Sequence, residues 1–211
     1  MGGQTAAQLS DDFMAFNATF ARSAEETAST IDVMLNSGMV SNAQEGLDLL
    51  TAGMQKVPAA MQDEVFEATN EYSKFFAQMG MSGEQAMAML VNASENGQYA
   101  IDKTGDAVAE FSKRAVDPAV TKSLAEIGIT VEDLAGRVAR GGPEASSAMA
   151  EMAQKLKSIP DEGERAAAAI EAFGTPLEDL GNKLPDFLDT LASGGDGMGD
   201  FAGAAQSMAD N

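Results

Sequence analysis

Asp102, Asp106 and Glu110 follow one another at four-residue intervals, with Lys103, Lys113 and Arg114 beside them. At that spacing the three carboxylates share one face of a helix. Such a set could hold a divalent cation or serve as a charged docking strip. An oxygen-ligated metal needs ligands converging from a loop or from several helices, whereas one helix face supplies only a row. Glu110 and Arg114 also stand in the favoured i to i+4 order of opposite charges, which stabilises a solvated helix by roughly 0.2–0.5 kcal/mol. The row therefore reads as solvated charge pairs. The string GGDGMGD at 194–200 suggests calcium but lacks the twelve-residue pattern closed by a bidentate Glu, and reads as linker. No glycine-rich stretch follows a strand and leads into Lys-Ser or Lys-Thr, so no phosphate cradle is expected.

The composition removes most other chemistry. There is no Cys and no His, which excludes disulfides, thiolate nucleophiles and the commonest neutral general base and metal ligand. With 33 acidic residues, carboxylate pairs could arise in almost any fold, so they carry no information without a cleft. A murein hydrolase reading finds no acid–base or nucleophile arrangement. No catalytic, cofactor-binding or metal-ligating residue is assigned, and no cofactor is expected. Thirteen basic residues against those 33 acids give a net charge of −20, which repels a phosphate backbone, so no direct nucleic-acid binding is expected. The opening MGGQTAAQLSDDF has neither a cationic start nor an apolar run, and no stretch approaches the roughly 20 apolar residues of a membrane span.

The elements that carry these residues read as helices throughout, since apolar side chains recur at intervals of three and four. The fold class is all-α: multiple short-to-medium helices with Gly and Pro breaks, arranged as a bundle or an irregular array. Residues 1–37 read as one long amphipathic helix, with Leu9, Phe13, Phe16, Phe20, Ile31 and Leu35 on a stripe and Thr5 and Gln8 as a capping box. Residues 38–192 read as a helical region. In it Ser41 with Gln44, Ser82 with Gln85, and Thr175 with Glu178 suggest capping boxes, Thr130 reopens a short helix, and Asp117 caps a helix with Pro118 at its first position. Met61, Val65, Ala68, Tyr72, Phe75 and Met79 form the cleanest seam. The helix through Met87, Met89, Leu90 and Val91 is apolar on most sides and needs cover all round. Residues 193–211, rich in Gly and Ala, read as a flexible tail. With no Trp and two Tyr, Ala and Met must do much of the packing, and the fourteen Met read mainly as filler between helices.

A terminating glycine followed by a polar cap and acids recurs at Gly38, Gly80, Gly128 and Gly174, at intervals of 42 to 48 residues. Core positions do not match between the copies, so ordinary helix-junction chemistry is the better reading.

The run EYSKFFAQMGMSGEQAMAMLVNASENGQYAIDKTGDAVAEFSKRAVD, followed by a Gly-Ile-Thr junction, a GGPEA turn and AFGTPLEDL, resembles the conserved helical region of phage tail tape measure proteins. The resemblance spans about 38–192. It rests on Glu71, Tyr72, Gly80, Gly97, Asp102, Lys103, Asp106, Glu110, Phe111, Arg114, Gly128, Gly141, Gly142, Phe173, Gly174, Glu178, Asp179 and Leu180. It implies a structural role in which helical copies occupy the tail tube lumen and set its length, after assembly in the host cytoplasm. The partners it implies are tail assembly chaperones, the tail tube protein, distal tail or baseplate proteins, and other copies of the chain. A fully helical chain of this size reaches only about 300 Å, short for such a ruler, which suggests a fragment or a short tape measure. The alternative from the residues alone is a secreted or cell-surface helical interaction module without enzymatic activity.

Overall fold

A computed structural model describes residues 6–95, 97–193 and 201–210, and among them every regular element is helical. The helices are α1 (Ala6–Thr19), α2 (Ala24–Ser37), α3 (Ala43–Lys56), α4 (Gln62–Gln78), α5 (Gly83–Ser94), α6 (Gln98–Arg114), α7 (Pro118–Glu126), α8 (Leu134–Arg140), α9 (Gly142–Lys157), α10 (Glu162–Phe173), α11 (Leu184–Ser193) and α12 (Ala204–Ala209). Helices α4, α5 and α6 form the centre. On one side α4 carries α2, and α3 bridges to α5; on the other α10 packs on α6, and α11 packs on both α5 and α9.

Helix α5 meets its demand for cover by lying between α3, α4, α6 and α11, with Ala86, Met87, Ala88, Met89 and Leu90 all buried in succession. Small residues let the neighbours close in. A Cβ on Gly53 of α3 would strike the fully buried Met87 side chain. Gly83 leads α5 directly past Met39, whose carbonyl accepts the Gly83 N–H at 3.0 Å. Methionine fills as expected, with Met34, Met54, Met79, Met149 and Met152 essentially without exposure. In the α4 seam Val65, Ala68, Tyr72 and Met79 are buried, while Met61 and Phe75 are half-buried at its edge.

The expected single helix over 1–37 is two helices. Ala21 takes a left-handed conformation (φ 52°), and Ser23 restarts the chain with a complete capping box to Glu26. Phe16 and Phe20 meet one helical turn apart just before the break, ring centroids 4.9 Å apart. The Ser23-x-x-Glu26 spacing was a readable start signal; an uninterrupted apolar period masked it. The expected Thr5 cap lies outside the described residues. At α3 the cap is Asn42, which accepts Glu45 N–H at 3.0 Å; Ser41 instead donates its own N–H to the Glu45 carboxylate. Helix α8 opens at Asp133 rather than Thr130, and Thr175–Leu177 is a 3-10 turn without a side-chain cap. The Ser82–Gln85 box and the Asp117 cap with Pro118 are present as expected.

The expected flexible tail is corrected in part: residues 194–200 lie outside the described residues, but α12 is a helix packed on α1 and α3 with Ala205 fully buried.

Three of the recurring glycines, Gly38, Gly80 and Gly128, end their helices with one hydrogen-bond pattern. In each, the following residue's N–H reaches back to Met34, Phe76 or Leu124, the six-to-one bond of a Schellman stop. Gly174 differs and runs into the 3-10 turn. What recurs is helix-stop chemistry. The surroundings of two of these stops differ sharply: a Cβ on Gly80 would run into the backbone of Gly142, whereas one on Gly128 would meet nothing. Gly128→Ala should therefore cost only the left-handed penalty of about 1–2 kcal/mol. Gly80→Ala should add overpacking of about 1–3 kcal/mol. Urea unfolding midpoints of the two variants check the difference, and equal losses would refute the junction-on-junction contact.

Candidate functional site

Helix α6 gathers most of the residues singled out above, because its two faces are gripped by different parts of the chain. Toward α4 the grip is a close crossing. Gly105 presents bare backbone to the Tyr72 ring, and any Cβ there would overlap it. The ring lies flat enough for its hydroxyl to reach Asp102 Oδ1 at 3.0 Å and Asp106 Oδ1 at 3.2 Å. A phenol has one proton, so the two carboxylates share it. Burial, reinforced by the hydrogen bond to Asp102 and by the charges of Asp102, Asp106 and Glu71, pushes the Tyr72 hydroxyl well above its ordinary range and keeps it a donor.

Toward the 170s the grip is cationic and aromatic. Lys103 Nζ donates to the Pro176 carbonyl at 2.9 Å and lies 3.9 Å from the exposed Asp179. Phe111 stacks on Phe173 with centroids 4.9 Å apart and planes 22° from parallel, worth about 0.5–1.5 kcal/mol beyond the area buried. Arg114 bonds Glu110 through Nε at 3.2 Å and reaches the Glu171 carbonyl at 3.3 Å. Gly174, with φ 79°, sits against Glu110 and Arg114, and a side chain there would press on both. Lys113 holds Glu110 at 3.0 Å, and this bond, with that of Arg114, draws the Glu110 carboxyl below its usual range.

A second convergence joins glycines far apart in sequence. Gly80, at the end of α4, contacts Gly142, and Gly141 lies against the Gln78 carbonyl, so the α8–α9 junction rests on the α4–α5 junction. Leu180 is buried, Gly97 caps α6 with φ 111°, and Glu71 and Glu178 are exposed. Gly128 stands apart, with open space around it.

The expected Glu110–Arg114 pair is present but half-buried, and the solvated-pair reading of the acidic row is incomplete. Asp102 and Asp106 serve Tyr72 across the helix crossing, and Lys103 ties α6 to a turn 73 residues away. No one-dimensional spacing announces those partners. Among the described residues no group of three or more Asp or Glu side chains is placed to hold a metal ion, and no helix is long and apolar enough to cross a membrane. The arrangement can fix helix positions.

The family described as phage-related minor tail protein matches residues 1–174. A probable tape measure protein of Streptomyces phage phiC31 is 31% identical over 183 residues, covering 86% of this chain and 25% of that protein. The chain thus spans about a quarter of that relative's length. No solved structure matches.

Two outcomes are expected from the α6 network. Tyr72→Phe keeps the ring against Gly105 and removes only the shared proton; with Asp102 free to rehydrate, the loss should be about 0.5–1.5 kcal/mol, read as a lower urea midpoint at unchanged slope. Glu110 has a depressed folded-state pKa, so its contribution is complete above the unfolded value of about 4.3 and disappears as pH falls through the folded value. The stability gap between the wild type and Glu110→Gln should be full at neutral pH and shrink as pH drops below about 4. A gap independent of pH would show that the Lys113 and Arg114 bonds do not act on the charge.

Proposed function

The chain belongs to the phage-related minor tail protein family, and we propose that it acts as a tape measure segment, a non-enzymatic part of the tail that contributes length during assembly. The observation that carries this reading is the identity to a probable tape measure protein across 86% of the chain. The chemistry supports it. The residues that could have formed a site are engaged structurally: Asp102 and Asp106 accept from Tyr72 across the α4–α6 crossing, and Glu110 pairs with Lys113 and Arg114 along α6. The acid excess suits a tube that DNA later traverses, because a negative surface does not adhere to the passing polymer.

In this role the chain lies in the tail tube lumen after assembly in the host cytoplasm. Its partners are the tail tube protein, tail assembly chaperones, distal tail or baseplate proteins, and further copies of itself. Helices with apolar faces as broad as that of α5 need one of these partners, or their own folded neighbours, as cover.

Tail length tests the proposal. Residues 62–114 (α4 to α6) would be duplicated in frame within the whole protein of a phage that carries it, and tails measured by electron microscopy. At about 1.5 Å per helical residue the tails should lengthen by about 80 Å. Deletion of the same block should shorten them equally. Assembled tails of unchanged length would sink the ruler role.

A further inference from the structure

Helix α12 is six residues long, too short to persist by itself, and a side chain from the other end of the sequence holds its start. Asp48, 4% exposed on α3, accepts the Gly203 N–H through Oδ2 at 2.9 Å and the Ala205 N–H through Oδ1 at 3.0 Å. Gln44 Nε2 steadies the same carboxylate at 3.1 Å. The capping position of α12 is Gly203, which has no side chain to offer its own helix. Asp48 therefore performs, across 155 residues, the task that Ser, Asp or Asn performs locally at other helix starts in this chain. The apolar part of the contact is slight: Ala205 is buried, and Phe201, Ala204 and Met208 are only partly covered against the core.

We propose that α12 is a detachable latch, held onto the α1–α3 face by the Asp48 carboxylate, whose release uncovers that face and frees the two ends of the chain from each other while leaving α4 to α6 folded. Two observations support local release, and a third identifies what holds the helix in place. The extensive contacts of α12 are with α1 and α3 alone, so its departure removes no support from the central helices. Its small side chains bury little apolar surface, which leaves the two charge-assisted hydrogen bonds to Asp48 a large part in its docking. Asp48, finally, sits among Leu47, Leu49 and Leu50, all fully buried. A charge in that neighbourhood requires bonded partners, and the α12 amides supply two of them.

Amide hydrogen exchange on the full-length chain tests this. Asp48→Ala should accelerate exchange at residues 203–209 on the order of tenfold or more, with α4, α5 and α6 unchanged, as expected of a separately opening unit. Asp48→Asn, which keeps one acceptor oxygen, should fall between. Ala205→Glu displaces α12 from its own side without touching α3, and should reproduce the local acceleration if Asp48→Ala fails to fold. Unchanged exchange at 203–209 in the variants that fold would overturn the latch. So would acceleration spreading through α4–α6, or a wild-type α12 that already exchanges as fast as a free peptide.

Discussion

Helix α5 buries Ala86, Met87, Ala88, Met89 and Leu90 one after another, and five consecutive side chains wrap more than a full turn, so no single neighbour can cover them. The remainder of the structure follows from supplying that cover. Helix α3 must approach on one side, which it can do because Gly53 leaves room for Met87. Helices α4 and α6 close another side, and they can cross tightly because Gly105 admits the Tyr72 ring. Helix α11 completes the sheath and brings α9 with it. A chain with no Trp and few large aromatics compensates by bringing backbones close together around alanine and methionine, where dispersion over many short contacts replaces a few bulky ones.

That logic separates what the sequence made legible from what it did not. The all-helical class, the α5 stripe and most helix stops were readable, because each depends on residues within a turn or two of one another. The Schellman stops at Gly38, Gly80 and Gly128 and the Ser82 capping box are of this kind. The break at Ala21 was readable in its capping box but hidden by an apolar period that runs through it. The pairing of Tyr72 with Asp102 and Asp106, the rest of Gly80 on Gly142, and Asp48 on α12 join positions 30 to 157 residues apart. Nothing local encodes them. At most, an aspartate flanked by leucines at position 48 announced that some distant donor was owed to it.

Charge is distributed on the same principle. With 13 cations among 33 acids, many of the cations join separate elements rather than decorate the surface. Arg22 pairs with Asp63 while lying over the Phe66 ring, Arg137 reaches Glu151, and Lys157 pairs with Asp189. Lys103 and Arg114 reach backbone carbonyls in the 170s. Cations engaged in this way still count toward net charge but are poorly placed to meet an outside partner, and the outer surface is left acidic. Copies of the chain therefore repel once their surfaces come within a Debye length, about 8–10 Å, and any close packing of copies must rest on apolar contact that outweighs that repulsion.

The compact fold also bears on what a tape measure segment must do. A folded chain of this size has a radius of gyration of about 17 Å, while the same residues as continuous helix reach about 300 Å. The two states differ in length severalfold, yet their backbone hydrogen bonds are largely the same, because both are helical. What separates them is the cover of α5 and of its neighbours' inner faces, together with the helix junctions that would have to straighten. Straightening a Schellman stop replaces its capping bonds by regular helical ones at little enthalpic cost, but exposing the faces of α3 to α6 has no such replacement in water. An extended state is therefore reachable only where other apolar surface takes over that cover as the helices part, so the supply of partner surface, rather than helix propensity, decides which state the segment adopts.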